Sequence, residues 1–180
     1  MVRTAIRTLA GMAMIGLAIP GSAKVVQASN EGFVLSHKAE VQASPDLVWA
    51  ALAHPERWWN KEHSWSGDAA NFSMTLVPGG CFCERLANSG FVEHARVINN
   101  EPSKLLRLSG ALGPLQGEAV VGTLTFTITP GQDGTSIISF EYVVGGYSRL
   151  SLLKIAPLVD SVIGEQHGRL LKFIASGKPD

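Results

Sequence analysis

Two glutamates near the middle of the chain are the residues whose spacing best suits chemistry. Glu84 belongs to a predicted strand over residues 81–86, and Glu93 belongs to the next predicted strand, over residues 91–98. If the strand ends pair across the short turn, the two carboxylates face each other on one side of the hairpin. Two enclosed carboxylates repel each other, so at least one pKa should rise. Such a pair is typical of a general acid and base, or of a polar grip on a ligand.

The two faces of this hairpin differ only slightly in the number of apolar residues that they carry, so the prediction of its orientation rests on a small margin. With Leu86 opposite Phe91, one face carries both glutamates, and the other carries the cysteines, a histidine and two arginines. Because arginine and histidine are more common at the surface, we predict that the glutamate face points inward. The alternative is that each glutamate finds an arginine or hydroxyl partner at the sheet edge and does no chemistry. The glutamate face also carries Phe82, Ala95 and Val97.

The two cysteines and a nearby histidine raise the questions of a disulfide and of a metal site. Cys81 and Cys83 lie two residues apart on one predicted strand, where the Cα atoms are near the upper distance limit for a disulfide and the Cβ vectors run parallel. We therefore predict two small, mostly inert thiols, even in an oxidising compartment. His94 would lie opposite Cys83, but the sequence shows no fourth ligand at a spacing typical of a metal site. The sequence predicts no metal site and no cofactor.

The last predicted hairpin supplies an apolar wall. Its strands, over residues 122–129 and 136–144, alternate apolar with polar side chains, which is the period of half-buried strands. With Thr129 opposite Thr135 the apolar side chains share one face, whereas a one-residue slip would bring polar side chains inside. The predicted inward residues are Leu124, Phe126, Ile128, Ile138, Phe140 and Tyr142.

A long amphipathic helix is predicted near the C-terminus. Apolar residues recur at spacings of three and four between Val159 and Ile174, which gives one apolar stripe. Pro157 either starts this helix or kinks a turn that began near Ser151. The stripe is the only one long enough to cover the apolar face of the sheet.

The predicted cavity lies where this stripe is interrupted. Gly164 is small and Gln166 is polar, so the helix should stand away from the sheet there. Gln166 is either capped by a neighbour or offered to the ligand, and two tryptophans suit an aromatic wall or lip. The predicted ligand-binding residues are Trp59, Trp65, Phe82, Glu84, Phe91, Glu93, Phe126, Phe140, Tyr142, Gly164 and Gln166.

The order of elements predicts a single α+β domain over residues 32–176. Residues 33–41 alternate as a strand, and Ser44-Pro45-Asp46 has the residue types of a helix start. Short helices are predicted over residues 45–53 and 55–59. Six strands joined by short turns then indicate an antiparallel meander, followed by the long helix.

The N-terminus has the pattern of a secretory signal. Arg3 and Arg7 precede an uncharged stretch over residues 8–23 that ends in small residues, and this order is typical of a cleavable signal peptide. We predict cleavage after residue 23, with residue 28 as the alternative. Because the stretch is too short to span a membrane, we expect an exported protein, periplasmic or secreted, with no stable membrane anchor.

The composition argues against several classes of partner. Fifteen Lys and Arg balance fifteen Asp and Glu in 180 residues, and no basic stripe suits nucleic acid or an anionic membrane. Hydrophobic residues make up 46% of the chain and charged residues 17%, which is enough for a packed core. The expected partner is a small hydrophobic molecule, and the sequence does not identify a protein partner.

Several short motifs, in their order and spacing, resemble the SRPBCC (START/Bet v 1-like) superfamily. The resemblance covers residues 33–176 and is strongest to the branch related to the Hsp90-ATPase-activator C-terminal domain and the polyketide cyclase/dehydrase proteins. It implies the helix-grip fold, in which a curved antiparallel sheet wraps around a long C-terminal helix and two short helices follow the first strand. The motifs are Ser44-Pro45-Asp46-Leu47-Val48-Trp49, Pro55-Glu56-Arg57-Trp58-Trp59, Pro78-Gly79-Gly80, Glu101-Pro102-Ser103-Lys104-Leu105 and the helix around Gln166.

The resemblance implies a cavity for hydrophobic ligands but no single reaction, because function depends on the site and not on the fold. The leading hypothesis is an exported protein that binds a small hydrophobic molecule, lipid-like or polyketide-like. The alternative is a cyclase or dehydratase that acts on a polyketide-like or aromatic substrate through Glu84 and Glu93. A third hypothesis is a protein-interaction module like the Hsp90 activator, which a predicted signal peptide disfavours.

Overall fold

The protein, described here as a computed structural model, is built on one antiparallel sheet of eight strands. The structure describes residues 24–180, so the predicted signal peptide over residues 1–23 lies outside the described residues. The sheet order is β1-β2-β8-β7-β6-β5-β4-β3. The strands are β1 (Lys24–Ala28), β2 (Gly32–Val41), β3 (Phe72–Met74), β4 (Cys81–Arg85), β5 (Phe91–Glu101), β6 (Leu105–Ser109), β7 (Ala119–Pro130) and β8 (Ser136–Tyr147).

Within residues 24–180, two α-helices complete the fold and confirm the predicted α+β class. Helix α1 (Pro45–Leu52) follows β2, and helix α2 (Leu152–Ser176) packs against the sheet. No helix within the described residues combines the length and hydrophobicity that a membrane span needs. Four short 3-10 turns lie between the other elements: Pro55–Arg57, Lys61–His63, Ala69–Asn71 and Gly113–Gly117.

Helix α1 begins as its sequence predicts. The Ser44 side chain accepts a hydrogen bond from the Leu47 N–H, Pro45 occupies the first turn, and Asp46 places a carboxylate near the positive helix end. The second predicted helix, over residues 55–59, is a single 3-10 turn. Strand β1 was not predicted, because its residues directly follow the apolar N-terminal stretch and the last three, Val26-Gln27-Ala28, have the pattern of a cleavage site.

The hairpin of β7 and β8 has the predicted faces but a different register. Leu124 lies opposite Tyr142, Phe126 opposite Phe140; the register is thus shifted by two residues from the prediction. A shift of two leaves every side chain on its face, so the predicted inward residues are all buried. The rings of Phe126 and Phe140 meet edge to face, with centroids 4.5 Å apart.

Helix α2 covers this apolar face, as predicted. It begins at Leu152 and continues through Pro157, which confirms the alternative in which the helix starts near Ser151. Its buried side includes Leu170 and Phe173, and the His167 ring meets the Phe140 ring edge to face, with centroids 4.9 Å apart.

A small polar cluster lies between α2 and β2. His37 and His167 are both almost fully buried. His37 Nε2 donates to Asp160 Oδ1 at 2.8 Å, and His167 Nε2 donates to the Ile138 carbonyl at 3.3 Å. Gly164 faces this cluster, since a Cβ atom there would lie 2.6 Å from His37 Cε1. The prediction that Gly164 borders a cavity is therefore wrong: a buried imidazole fills the space that the missing side chain leaves.

Gly164 and Gly168, one helical turn apart, form a matched pair for substitution. A Cβ at Gly168 would have no heavy atom within 4 Å, unlike one at Gly164. We expect Gly168→Ala to raise the free energy of unfolding by about 1 kcal/mol through helix propensity. Gly164→Ala should lower it, because the His37 ring must move away from its position beside Asp160. Urea denaturation measures both effects, and equal stabilisation by the two alanines would contradict this packing.

His167 should make stability depend on pH. Burial lowers its pKa to about 4, the Ile138 carbonyl opposes this effect, and the charge of His37 adds to it. Below about pH 6.5 the unfolded chain therefore binds a proton at His167 that the folded chain does not bind. The free energy of unfolding consequently falls as the pH drops towards 4. Between pH 7 and pH 5 the loss should reach about 2 kcal/mol.

Urea denaturation at both pH values measures this loss, with His167→Gln as the control. Glutamine keeps a donor for the carbonyl but does not titrate, so the variant should lose about 2 kcal/mol less than the wild type. The same pH dependence in both proteins would show that His167 is not responsible.

Candidate ligand-binding cleft

A cleft of about 420 Å³ opens between the N-terminal half of α2 and two loops. Its volume lies in the range of small-molecule sites. One loop precedes β3, the other follows β6, and strand β5 supplies one histidine. The lining residues are Trp59, His63, Ser64, Trp65, His94, Leu112, Gly113, Pro114, Ile155, Leu158, Val159, Val162 and Ile163. The cleft is therefore mostly apolar, and its lining includes no lysine or arginine.

The first loop is fixed to α2 by polar contacts. The Asn60 N–H donates to Gln166 Oε1 at 2.8 Å, and Arg169 Nε donates to the Trp58 carbonyl at 2.9 Å. His63 Nε2 donates to Glu165 Oε2 at 2.9 Å. Gln166 is thus capped by a neighbouring segment, the first of its two predicted alternatives, and it holds the wall of the cleft without lining it.

The second loop rests on Tyr142. The Tyr142 hydroxyl accepts a hydrogen bond from the Leu112 N–H at 2.9 Å and donates to the Gly110 carbonyl at 3.1 Å. Burial raises the Tyr142 pKa to about 12, although the bond from Leu112 opposes this effect. The side chain therefore stays a neutral phenol that positions the loop from below.

A buried carboxylate lies beneath the cleft. Glu84 has no solvent exposure and accepts hydrogen bonds from the Trp65 and Ser66 N–H groups and from His94 Nε2, the last at 3.0 Å. Burial acts to raise the Glu84 pKa, but the hydrogen bonds from Ser66, Trp65 and His94 outweigh it and hold the pKa below its usual value. Glu84 is therefore ionised, and the expected rise in pKa does not occur.

A β-bulge in β5 explains why the predicted pairing of two glutamates is wrong. Phe82 lies opposite Ala95 as predicted, but Cys83 lies opposite Glu93 and Glu84 opposite Val92, so His94 is an extra residue. An extra residue reverses the faces on one side of the bulge. Glu93 consequently points outward, where it pairs with Arg96. Phe91 also lies on the outer face and is 71% exposed.

His94 joins the carboxylate to the cleft. Its ring lies beside the rings of Phe72 and Phe82, with centroids 5.2 and 5.1 Å away. Burial lowers the His94 pKa, and the hydrogen bond and charge of Glu84 offset this only in part. Because Glu84 is ionised and accepts from Nε2, the neutral imidazole carries its proton on Nε2. Its Nδ1 is then an unprotonated nitrogen.

The prediction of free thiols is wrong, because Cys81 and Cys83 form a disulfide. Their Cα atoms are 5.3 Å apart, whereas two residue rises of a regular strand span about 6.7 Å. The strand is therefore contracted here, next to the bulge in its partner, and both side chains lie on its outer face. Neither sulfur is available as a metal ligand, and no group of three or more possible ligands lies together in residues 24–180.

The predicted site residues fall into three groups. Trp59 and Trp65 line the cleft, and Phe82 and Glu84 lie directly behind His94. Phe126 and Phe140 pack in the core under α2. The remaining predicted residues hold walls, pack elsewhere or point outward: Tyr142, Gln166, Gly164, Phe91 and Glu93.

Apart from Trp59 and Trp65, the lining of the cleft was not predicted: sequence reasoning missed His94, the residues on α2 and five loop residues, namely His63, Ser64, Leu112, Gly113 and Pro114. The bulge that turns His94 inward has no distinctive pattern in the sequence. A signal did exist for α2, because Ile155, Leu158 and Val162 widen its apolar stripe beyond what covering the sheet requires.

Comparisons with known proteins agree with the predicted fold. No family model and no curated protein matches the chain. CalU16 from Micromonospora echinospora has a similar structure, with a TM-score of 0.57 and 16% identity over 89% of this chain and 86% of that one. A conserved protein of unknown function, EF2215 from Enterococcus faecalis, has a TM-score of 0.58 and 10% identity over 87% and 78% of the two chains.

A third similar structure is DynU16, a protein from the dynemicin biosynthetic locus. Its TM-score is 0.58 at 16% identity, and the match covers 81% of this chain but 48% of DynU16. At these identities the likeness shows a shared fold, consistent with the helix-grip architecture.

Tyr142→Phe should destabilise the wall of the cleft. The change removes one hydroxyl and leaves the Leu112 N–H and the Gly110 carbonyl without their partner, so we expect a loss of about 1–3 kcal/mol in the free energy of unfolding. Tyr147→Phe is the matched control, because Tyr147 is 74% exposed and its loss should stay within about 0.5 kcal/mol. Urea denaturation distinguishes the two, and equal effects would contradict the role of Tyr142.

Proposed function

We propose that the protein binds a small, largely apolar molecule in the cleft between α2 and the two loops. The observation that carries the proposal is the lining, in which aliphatic and aromatic side chains surround a few polar groups, among them the buried ring of His94. Leu158 and Trp65, at the cleft, are 68% and 57% exposed. Covering such surface contributes roughly 25 cal/mol for each Å² removed from water, so an apolar ligand has a clear source of affinity.

A lipid-like or polyketide-like molecule is the ligand class that we favour. The structural likeness to DynU16, which comes from a biosynthetic locus, supports a biosynthetic small molecule. The size of the cleft, about 420 Å³, supports a compact molecule with a few rings or a short chain. The enzyme alternative loses its paired carboxylates, because Glu93 lies on the outer face beside Arg96.

We also propose that the protein is exported. The basic, apolar and small residues at the N-terminus support this, and so does the disulfide, because disulfides persist mainly in oxidising compartments. Cleavage after residue 23 would leave strand β1 whole, whereas cleavage after residue 28 would remove its five residues. The earlier site is therefore the one that we favour.

Val162→Trp should block the cleft. Val162 lines the cleft and is partly exposed, so a tryptophan there fills space that a ligand would use. We expect the affinity for the neutral probe N-phenyl-1-naphthylamine, measured by fluorescence, to fall at least about tenfold. Val121→Trp is the matched control, because Val121 is 64% exposed on β7 and does not line the cleft.

The natural ligand is sought by native mass spectrometry of the protein purified from its own host. We expect a co-purifying mass that Val162→Trp abolishes and Val121→Trp retains. A wild-type protein that neither carries a mass nor binds the neutral probe would overturn the proposed function.

A further inference from the structure

We infer that His94 is the specificity-determining residue of the cleft: its Nδ1 accepts a hydrogen bond from a neutral apolar ligand that carries a hydroxyl group. The inference rests on the proposed function, since it concerns the same cleft. It assigns to the ligand one polar feature, a donor, and it excludes ligands whose polar end is an anion.

The contact with Glu84 fixes the tautomer of His94. Nε2 is 3.0 Å from Glu84 Oε2, and that carboxylate also accepts from two backbone N–H groups. An ionised carboxylate has no proton to donate, so it accepts a hydrogen bond from the histidine N–H. The proton is therefore fixed on Nε2, so that Nδ1 has a free lone pair and can only accept.

The position of Nδ1 makes it available to a ligand. His94 lines the cleft, and its Nδ1 has no hydrogen-bond partner among the described residues. Within that part of the chain, the enclosed side-chain atoms without a partner are Asn100 Oδ1 and Gln166 Nε2. His94 Nδ1 is not among them, so this atom is accessible. His63, the other histidine of the lining, makes the same kind of bond to Glu165, but its side chain is 32% exposed and can bond to water, whereas that of His94 is 7% exposed. Nδ1 of His94 is thus the buried acceptor that the cleft offers to its contents, and a ligand without a donor would leave it unpaired.

The charges around the cleft disfavour an anionic ligand. Glu84 lies directly behind His94, and Glu165 lies behind His63 on the other wall. The lining includes no lysine or arginine, and such cations usually recognise carboxylates and phosphates. A fatty acid or a phosphorylated lipid would bring a second negative charge near Glu84 without a cation to balance it, so the site disfavours anions.

The size of the cleft and the surroundings of the histidine point to phenols, enols and alcohols on a ring system. The Phe72 and Phe82 rings hold the imidazole plane, which fixes the direction of the Nδ1 lone pair. The burial that lowers the His94 pKa keeps the ring neutral, so it accepts the hydrogen bond without taking the proton.

Three two-ring probes of similar size test the inference at pH 7.5. 2-Naphthol carries the hydroxyl, 2-methoxynaphthalene has an ether in its place, and 2-naphthoate is an anion. We expect wild-type protein to bind 2-naphthol about tenfold more tightly than the ether, as for one hydrogen bond to a buried acceptor. It should bind 2-naphthoate at least about tenfold more weakly than 2-naphthol. Fluorescence titration or calorimetry gives these affinities.

His94→Phe provides the matched variant, because phenylalanine keeps a ring beside Phe72 and Phe82 and removes the acceptor, together with the donor to Glu84. In this variant the preference for 2-naphthol over the ether should disappear. The wild type alone also decides the question through ¹⁵N NMR of the imidazole. Nδ1 should be unprotonated in the free protein, and its resonance should shift on addition of 2-naphthol but not of the ether.

The outcomes separate the two proposals. Equal binding of 2-naphthol and its ether, tightest binding of 2-naphthoate, or a free protein with its proton on Nδ1 would each overturn the role of His94. In these cases the cleft would still be an apolar binding site. If none of the probes nor N-phenyl-1-naphthylamine binds, the proposed function fails, and the inference about His94 fails with it.

Discussion

The Glu84 carboxylate is a charge without solvent exposure, and the parts of the chain that form the cleft are arranged around it. A buried ion costs several kcal/mol unless hydrogen bonds replace its lost water. Two N–H groups, from Trp65 and Ser66, and the ring of His94 supply these bonds. The loop before β3, the orientation of β5 and the histidine tautomer are therefore coupled. A change in any one leaves the charge less well compensated.

The bulge in β5 makes this arrangement possible. In an unbroken strand consecutive side chains point to opposite faces, so His94 and Ala95 would not both point inward. The extra residue lets His94 reach the carboxylate while Ala95 and Val97 stay in the core. Bulges often re-aim a side chain next to a functional site. One inserted residue thus places an imidazole of this hairpin at the wall of the cleft.

The parts of the fold that repeat a pattern could be predicted from the sequence, and the parts that depend on one residue could not. Alternation over many residues determined the inward face of β7 and β8, and three-four spacing determined α2. The bulge at His94 interrupts a pattern only once, and the two candidate faces of that hairpin differed by little. A glycine within a helix suits either an opening or a close contact, and at Gly164 only the position of the His37 ring distinguishes the two.

The position of the cleft follows from the two sides of the N-terminal half of α2. Leu152 and Ala156 are buried against the rest of the fold, whereas Leu158 is 68% exposed. The two long loops flank that exposed side, so apolar surface, flanking walls and His94 meet at one place. Ile163 belongs both to the core and to the lining of the cleft, whereas Leu158 and Val162 line the cleft with part of their surface exposed. The outer part of the lining can therefore change without loss of the core.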